Sequence, residues 1–188
     1  PDLQLYLPYE RKLTPQTVAG RITALRFFFV KVLHRPYQEL DLVYPKLPER
    51  LPTVLSEEEV ARLIESASNA YHRVILTTLY ATGMRRTELS RLKVEDIDSQ
   101  RMVIHVRQGK GGKDRDVTLS PRLLEILRDY WKWRKPQVYL FPSLQRKRRE
   151  LPITDRAIYH AVRAAARRAG IKKKITPHTL RHSWATHL

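Results

Sequence analysis

The sequence predicts a mainly helical α+β protein with one small antiparallel β-sheet. Three observations carry that expectation. Apolar residues recur at three- and four-residue intervals over most of the chain, and most of those runs open on a Ser or Thr suited to cap a helix. Around residues 102–119 the pattern changes to every second residue, on both sides of a glycine-rich turn. Prolines crowd residues 45–52 and divide a short first part from a longer second part.

Thr14 caps a predicted helix from Pro15 to about His34, with Pro15 at its first position, where a missing N–H costs nothing. Val18, Ile22, Leu25, Phe29 and Val32 form its apolar stripe. Arg21, Arg26 and Lys31 lie mostly off that stripe and read either as a solvated face or as contacts to nucleic acid. Residues 42–52 contain Pro45, Pro48 and Pro52, a density no stable helix survives, and read as a linker. Ser56-Glu57-Glu58-Glu59 is a capping box that opens a new domain. Helices are expected at about 57–68 and 71–82, then a turn at Gly83 and a short helix from Arg85 to Leu92.

The sheet follows. Met102, Ile104 and Val106 alternate with Val103, His105 and Arg107, and Val117 and Leu119 alternate on the return strand. Ser120-Pro121 opens a helix to about Lys135, and Tyr139-Leu140-Phe141-Pro142 reads as a short buried segment. The basic loop Arg146-Lys147-Arg148-Arg149 comes next. A helix from Asp155 to Ala169 is capped by Thr154 and stopped by Gly170. Ile158, Val162, Ala165 and Ala169 share one of its faces, while Arg156, His160, Arg163 and Arg167 share another. Thr176 and Pro177 open the last helix.

The chain has 188 residues, 42% hydrophobic and 29% charged, which suits a soluble globular protein of one full domain and part of another. No run approaches the ~18 apolar residues of a membrane span. Cysteine is absent, so disulfides and thiolate chemistry are excluded, as suits a cytoplasmic protein. The chain opens on Pro1 and stops six residues after His182, and both ends read as cut. The net charge is +17, and residues 141–188 carry 12 basic against 2 acidic side chains. That bias favours a polyanionic partner, most simply nucleic acid, though ribosomal and membrane-surface proteins are as basic.

Three segments hold cations in constrained places. In Ala81-Thr82-Gly83-Met84-Arg85-Arg86-Thr87-Glu88-Leu89, Gly83 lets the backbone turn and Glu88 lies one helical turn beyond Arg85. The pair reads either as an oriented guanidinium awaiting a phosphate or as a surface ion pair of little energetic weight. Lys110 sits in the turn Gln108-Gly109-Lys110-Gly111-Gly112-Lys113-Asp114 and reads either as a lysine reaching a phosphate or as a solvated turn residue. Lys113 and Arg115 compete with it for that role. His178, Arg181 and His182 project together from the start of the last helix, where the positive helix end suits an anion.

Taken in order, these segments resemble the conserved boxes of the tyrosine recombinase (phage-type integrase) family. Ala81–Leu89 resembles its first box, and Gly109-Lys110-Gly111-Gly112-Lys113-Asp114-Arg115 its β-hairpin lysine segment. Pro177-His178-Thr179-Leu180-Arg181-His182-Ser183-Trp184-Ala185-Thr186-His187-Leu188 is similar to the second box of the Xer-like branch. Leu13-Thr14-Pro15 through Phe29 resembles the end of the family's helical core-binding domain.

The resemblance implies residues 1–41 as part of a core-binding domain, 42–52 as the linker and 53–188 as a recombinase catalytic domain. It implies that Arg85 and Arg181 clamp a scissile phosphate, Lys110 protonates the leaving 5′-hydroxyl, and His178 assists proton transfer at the nucleophile. Glu88 and His182 would stand behind them. Arg156, His160, Arg163 and Arg167 are the candidate contacts to duplex DNA, the Arg146–Arg149 loop reads either as a further phosphate contact or as solvated surface, and self-association on DNA, as a tetramer, is expected. No metal or other cofactor is required. The implied nucleophile is a tyrosine beyond the second box, and all nine tyrosines of the chain precede His178. The expected function is therefore site-specific DNA recombination by strand breakage and rejoining, in a fragment that lacks the attacking group. The alternative is a DNA-binding remnant that does not cut. A partner completing the site, a type IB topoisomerase and a basic RNA-binding protein are weaker readings.

Overall fold

The computed structural model describes residues 6–35, 43–48, 51–107, 114–145 and 150–188. Contacts divide the chain into two units, Pro1–Leu51 and Pro52–Leu188, with the boundary inside the proline-rich stretch.

In the first unit, helix α1 spans Pro15–Phe27. Thr14 Oγ1 accepts the Thr17 N–H, and Pro15 takes the first position. Val18 and Ile22 bury against Leu7 from a π-helical turn at Tyr6–Glu10. The helix does not run on to His34 as expected. It widens at Phe28–Val32 into a π-helical turn, closed by the Leu33 N–H on the Phe28 carbonyl at 3.0 Å. A π turn holds more residues than an α turn, so the stripe rotates off its face. Within that turn Phe29 is accordingly only half-buried and Val32 is exposed, while Leu25, on the α-helix before it, is also half-buried.

The second unit opens on α2, Glu57–Glu65, under a complete Ser56–Glu59 capping box. It ends three residues before the expected boundary because Asn69 must be extended to cap the next helix, where its Oδ1 accepts the His72 N–H at 2.8 Å. That helix, α3 (Ala70–Thr82), buries Tyr71, Val74, Ile75, Leu76, Thr78, Leu79 and Thr82. Burial on nearly all sides makes α3 the central element. A short helix α4, Arg86–Arg91, and a 3₁₀ turn, Val94–Asp96, lead to the sheet.

The sheet is antiparallel, in the order β1 (Ile97–Asp98), β2 (Val103–Val106) and β3 (Arg115–Thr118). Its register pairs Ile97 with Ile104, Ile104 with Val117, and Val106 with Arg115. Ile104, Val106 and Leu119 point into the core, as the alternation predicts. Strand β1 is an addition, since two residues are too few to show a period.

Helix α5, Pro121–Arg134, is capped by Ser120 and buries Leu123, Leu124, Leu127 and Tyr130. Leu140 and Phe141 are buried as expected, and the Leu140 N–H reaches the Leu92 carbonyl at 2.7 Å. Helix α6, Asp155–Arg168, starts at Thr154 and buries Ile158, Ala161, Val162, Ala165 and Ala166. Helix α7, Pro177–His187, follows a Thr176 cap. Helices α2, α5, α6 and α7 all pack on α3. No helix among the described residues is long and apolar enough to cross a membrane.

Candidate active site

The site lies where the end of α3, the start of α4 and the start of α7 meet, and Gly83 makes that meeting possible. Gly83 ends α3 in the left-handed region, φ 57°, with its N–H on the Leu79 carbonyl at 3.0 Å. A side chain there would also have no room, because a Cβ would fall 2.2 Å from Cε3 of Trp184 on α7. One residue therefore sets the turn and lets α7 lie against it.

Three further contacts fix α7. The Leu55 N–H donates to the buried Ser183 Oγ at 2.9 Å, and that hydroxyl donates to the Thr179 carbonyl at 2.9 Å. At the far end, Tyr80 Oη lies 2.8 Å from His187 Nδ1. At the near end, Arg181 Nη1 donates to the Gly83 carbonyl. A helix held at both ends presents its first turn in one orientation.

Arg85 is the extended residue that precedes α4. Glu88, one turn on, accepts the Arg85 backbone N–H at 2.8 Å and Arg85 Nη1 at 2.8 Å. The carboxylate thus fixes both the backbone and the head group of one arginine. Glu88 also accepts Arg115 Nη1 at 2.9 Å and Nη2 at 2.7 Å, a forked pair from strand β3. Burial favours the neutral carboxyl and pushes the Glu88 pKa up, but the hydrogen bonds from Arg115 and Arg85 outweigh it and hold the pKa down at about 2. For Arg181, burial first and then the charge of Arg85 lower the pKa, and Glu88 opposes them. Two arginines, one just ahead of α4 and one on α7, thus line the same cleft, an arrangement suited to a bound anion.

Met84, Arg85, Arg86, Thr87, Pro177, His178 and Arg181 line one cleft of about 190 Å³. Of the residues read from the sequence, Arg85, His178 and Arg181 meet there. His178 is exposed, and the ring of His182 lies 6.4 Å from its ring without lining the cleft. Arg86 is tied to Asp155 at 3.3 Å, which links α4 to α6. Arg156, His160 and Arg167 are exposed on α6 and Arg163 is half-buried, with Arg156 Nε 3.4 Å from His160 Nε2. Lys110, Lys113 and the Arg146–Arg149 loop lie outside the described residues.

Sequence reasoning missed two partners. Arg115, weighed only as a rival to Lys110, is committed to Glu88, 27 residues away. The Gly83 carbonyl, 98 residues from Arg181, is that arginine's acceptor. No local pattern encodes either pairing. The hairpin register that places Arg115 opposite Val106 was the nearest available signal.

A family model described as the phage integrase family matches residues 53–188. The putative integrase/recombinase y4qK of Sinorhizobium fredii is 47% identical over 186 residues, covering 98% of this chain and 59% of that protein. The putative integrase/recombinase y4eF of the same organism is 46% identical, covering 98% of this chain and 73% of that protein. Among solved structures, a XerH site-specific recombinase bound to its difH substrate in a pre-cleavage complex superposes with a TM-score of 0.73. It is 26% identical and covers 97% of this chain and 56% of that one. The chain thus spans less than two thirds of the length of y4qK and of the XerH chain.

Proposed function

Because this chain belongs to the phage integrase family, we propose that it serves site-specific DNA recombination, with the Arg85–Arg181 cleft as the seat of the scissile phosphate. The observation that carries this reading is the convergence of two oriented guanidinium groups and one histidine on a single small cleft. Forked cations matched to phosphate oxygens stabilise the charge that grows as phosphorus becomes five-coordinate.

In this reading a tyrosine oxygen attacks phosphorus, the bond to the 5′-oxygen breaks, and a 3′-phosphotyrosyl ester conserves the bond energy for rejoining. Arg85 and Arg181 hold the non-bridging oxygens, and His178 assists transfer of the tyrosine proton. Lys110 delivers a proton to the leaving 5′-oxygen. Glu88 orients Arg85, and His182 stands behind His178. The attacking tyrosine is assigned to none of the nine in this chain, and no tyrosine among the described residues lines the cleft. Residues 1–41 form part of a core-binding domain joined by the 42–52 linker to the catalytic domain at 53–188. The exposed basic face of α6 contacts the duplex backbone, copies self-associate on DNA, and the protein works in the cytoplasm.

The test is duplex affinity as a function of salt. Each phosphate contact adds about 0.9 to the slope of log affinity against log salt. Replacing both Arg85 and Arg181 by Ala removes the hold on that one phosphate and should lower the slope by about 1, with a loss of affinity. An unchanged slope with unchanged affinity would remove the cleft from the DNA interface.

A further inference from the structure

Arg115 does not line the cleft, yet it makes the forked contact on which the site's geometry depends. Its Nη1 and Nη2 bind the two oxygens of Glu88 at 2.9 and 2.7 Å. The same two oxygens accept the Arg85 backbone N–H and Arg85 Nη1, both at 2.8 Å. An ionised carboxylate offers about four lone-pair sites, so these four donors satisfy it. The Glu88 side chain is only 5% exposed, which leaves water little share in it.

Charge makes the same point. Arg85 and Glu88 alone sum to zero, and a guanidinium neutralised by a buried carboxylate attracts an anion weakly. Arg115 adds a second cation to the same carboxylate from outside the cleft lining, and the trio carries a net charge of +1. We propose that Arg115 is a positioning residue of the anion site, holding and balancing Glu88 so that Arg85 meets the cleft oriented and still cationic. The inference rests on the phosphate reading given above. Both Nη atoms of Arg115 are engaged by Glu88, and its other neighbours, His105, Arg107, Asp114 and Asp116, line a separate hollow. The contact also ties β3, the return strand of the hairpin, to α4.

The experiment follows the guanidinium Nε–Hε resonances of Arg85 and Arg181 as inorganic phosphate is added. The proteins are the unmodified chain, R115M, R115K and the double variant R115M/E88Q. R115M should weaken phosphate binding by at least about tenfold, and R115K, with charge but no fork, should recover part of the loss. The double variant should bind phosphate more tightly than R115M but less tightly than the unmodified chain, because removing the carboxylate charge restores the net +1 while Arg85 loses the carboxylate that orients it. A double variant as weak as R115M would overturn the proposal and make Arg115 a direct ligand. A purely structural role would lower the melting temperature of R115M without moving phosphate affinity, and that too would overturn it.

Failure of the phosphate reading looks different, with both resonances of the unmodified chain indifferent to phosphate. The hold on Glu88 is then decided by its carboxyl titration, followed by carbon NMR. R115M should raise that midpoint by at least about one pH unit, and an unmoved midpoint would end the proposal.

Discussion

Replacing Gly83 by Ala should cost far more than one methyl group ordinarily does. The new Cβ would meet three atoms of the Trp184 ring at 2.2, 2.5 and 2.7 Å. Ordinary carbon–carbon contact begins near 3.5 Å, so the ring has to retreat by about 1.3 Å. The backbone at φ 57° adds about 1–2 kcal/mol of strain for any residue with a Cβ. Overpacking adds about 1–3 kcal/mol, so the whole substitution should destabilise by about 2–5 kcal/mol. Urea denaturation of G83A against the unmodified chain measures it. The two contributions separate in a W184A background, where the clash is gone and G83A should cost only the backbone share of about 1–2 kcal/mol. The effect should also reach the cleft, because the Gly83 carbonyl holds Arg181 and Trp184 shares its helix. Duplex DNA affinity of folded G83A should therefore fall at sub-denaturing temperature. A stability loss below about 1 kcal/mol, or an equal loss in both backgrounds, would refute the reasoning.

Glu88 supplies a pH prediction. Its folded pKa of about 2 lies below the ordinary 4.5, so its stabilisation is complete above pH 4.5 and is lost as the pH falls through about 2. The gap in unfolding free energy between the unmodified chain and E88Q should shrink across that window by about 3 kcal/mol, and a gap independent of pH would contradict the assignment. Tyr71 and Tyr130 have pKa values pushed up mainly by burial, and their hydroxyls donate to the Pro142 and Leu140 carbonyls. Stability from these phenols holds below pH 10 and declines above it, so ultraviolet titration should show both ionising only as the protein unfolds. Reversing the charge of Arg156, Arg163 and Arg167 together should flatten the salt slope of DNA binding by about 2–3, and an unchanged slope would take α6 out of the interface.

Much of the fold was legible because capping is local. Thr14, Ser56, Ser120, Thr154 and Thr176 each accept a backbone N–H three residues on, as their positions in the sequence suggest. The hairpin strands were legible for the same reason, since alternation shows in a few residues. What escaped depends on distant partners or on small adjustments. Strand β1 exists because Ile97 and Asp98 find β2. The π turn at Phe28–Val32 changes only the count of residues in a turn. In the site, the residue types and their helix positions were readable, and the spacing brings His178 and Arg181 to one face. The same spacing puts His182 beside His178, with its ring 6.4 Å away and outside the cleft lining. The Arg115 fork on Glu88 was not readable, because it joins two boxes that only the folded hairpin brings together.

The central claim is that Arg85 and Arg181 form one phosphate site, and the most direct measurement is a titration of the labelled chain with duplex DNA, read at their guanidinium resonances. The account predicts that both shift together and saturate at the same DNA concentration. Tight DNA binding that leaves both resonances in place would contradict it.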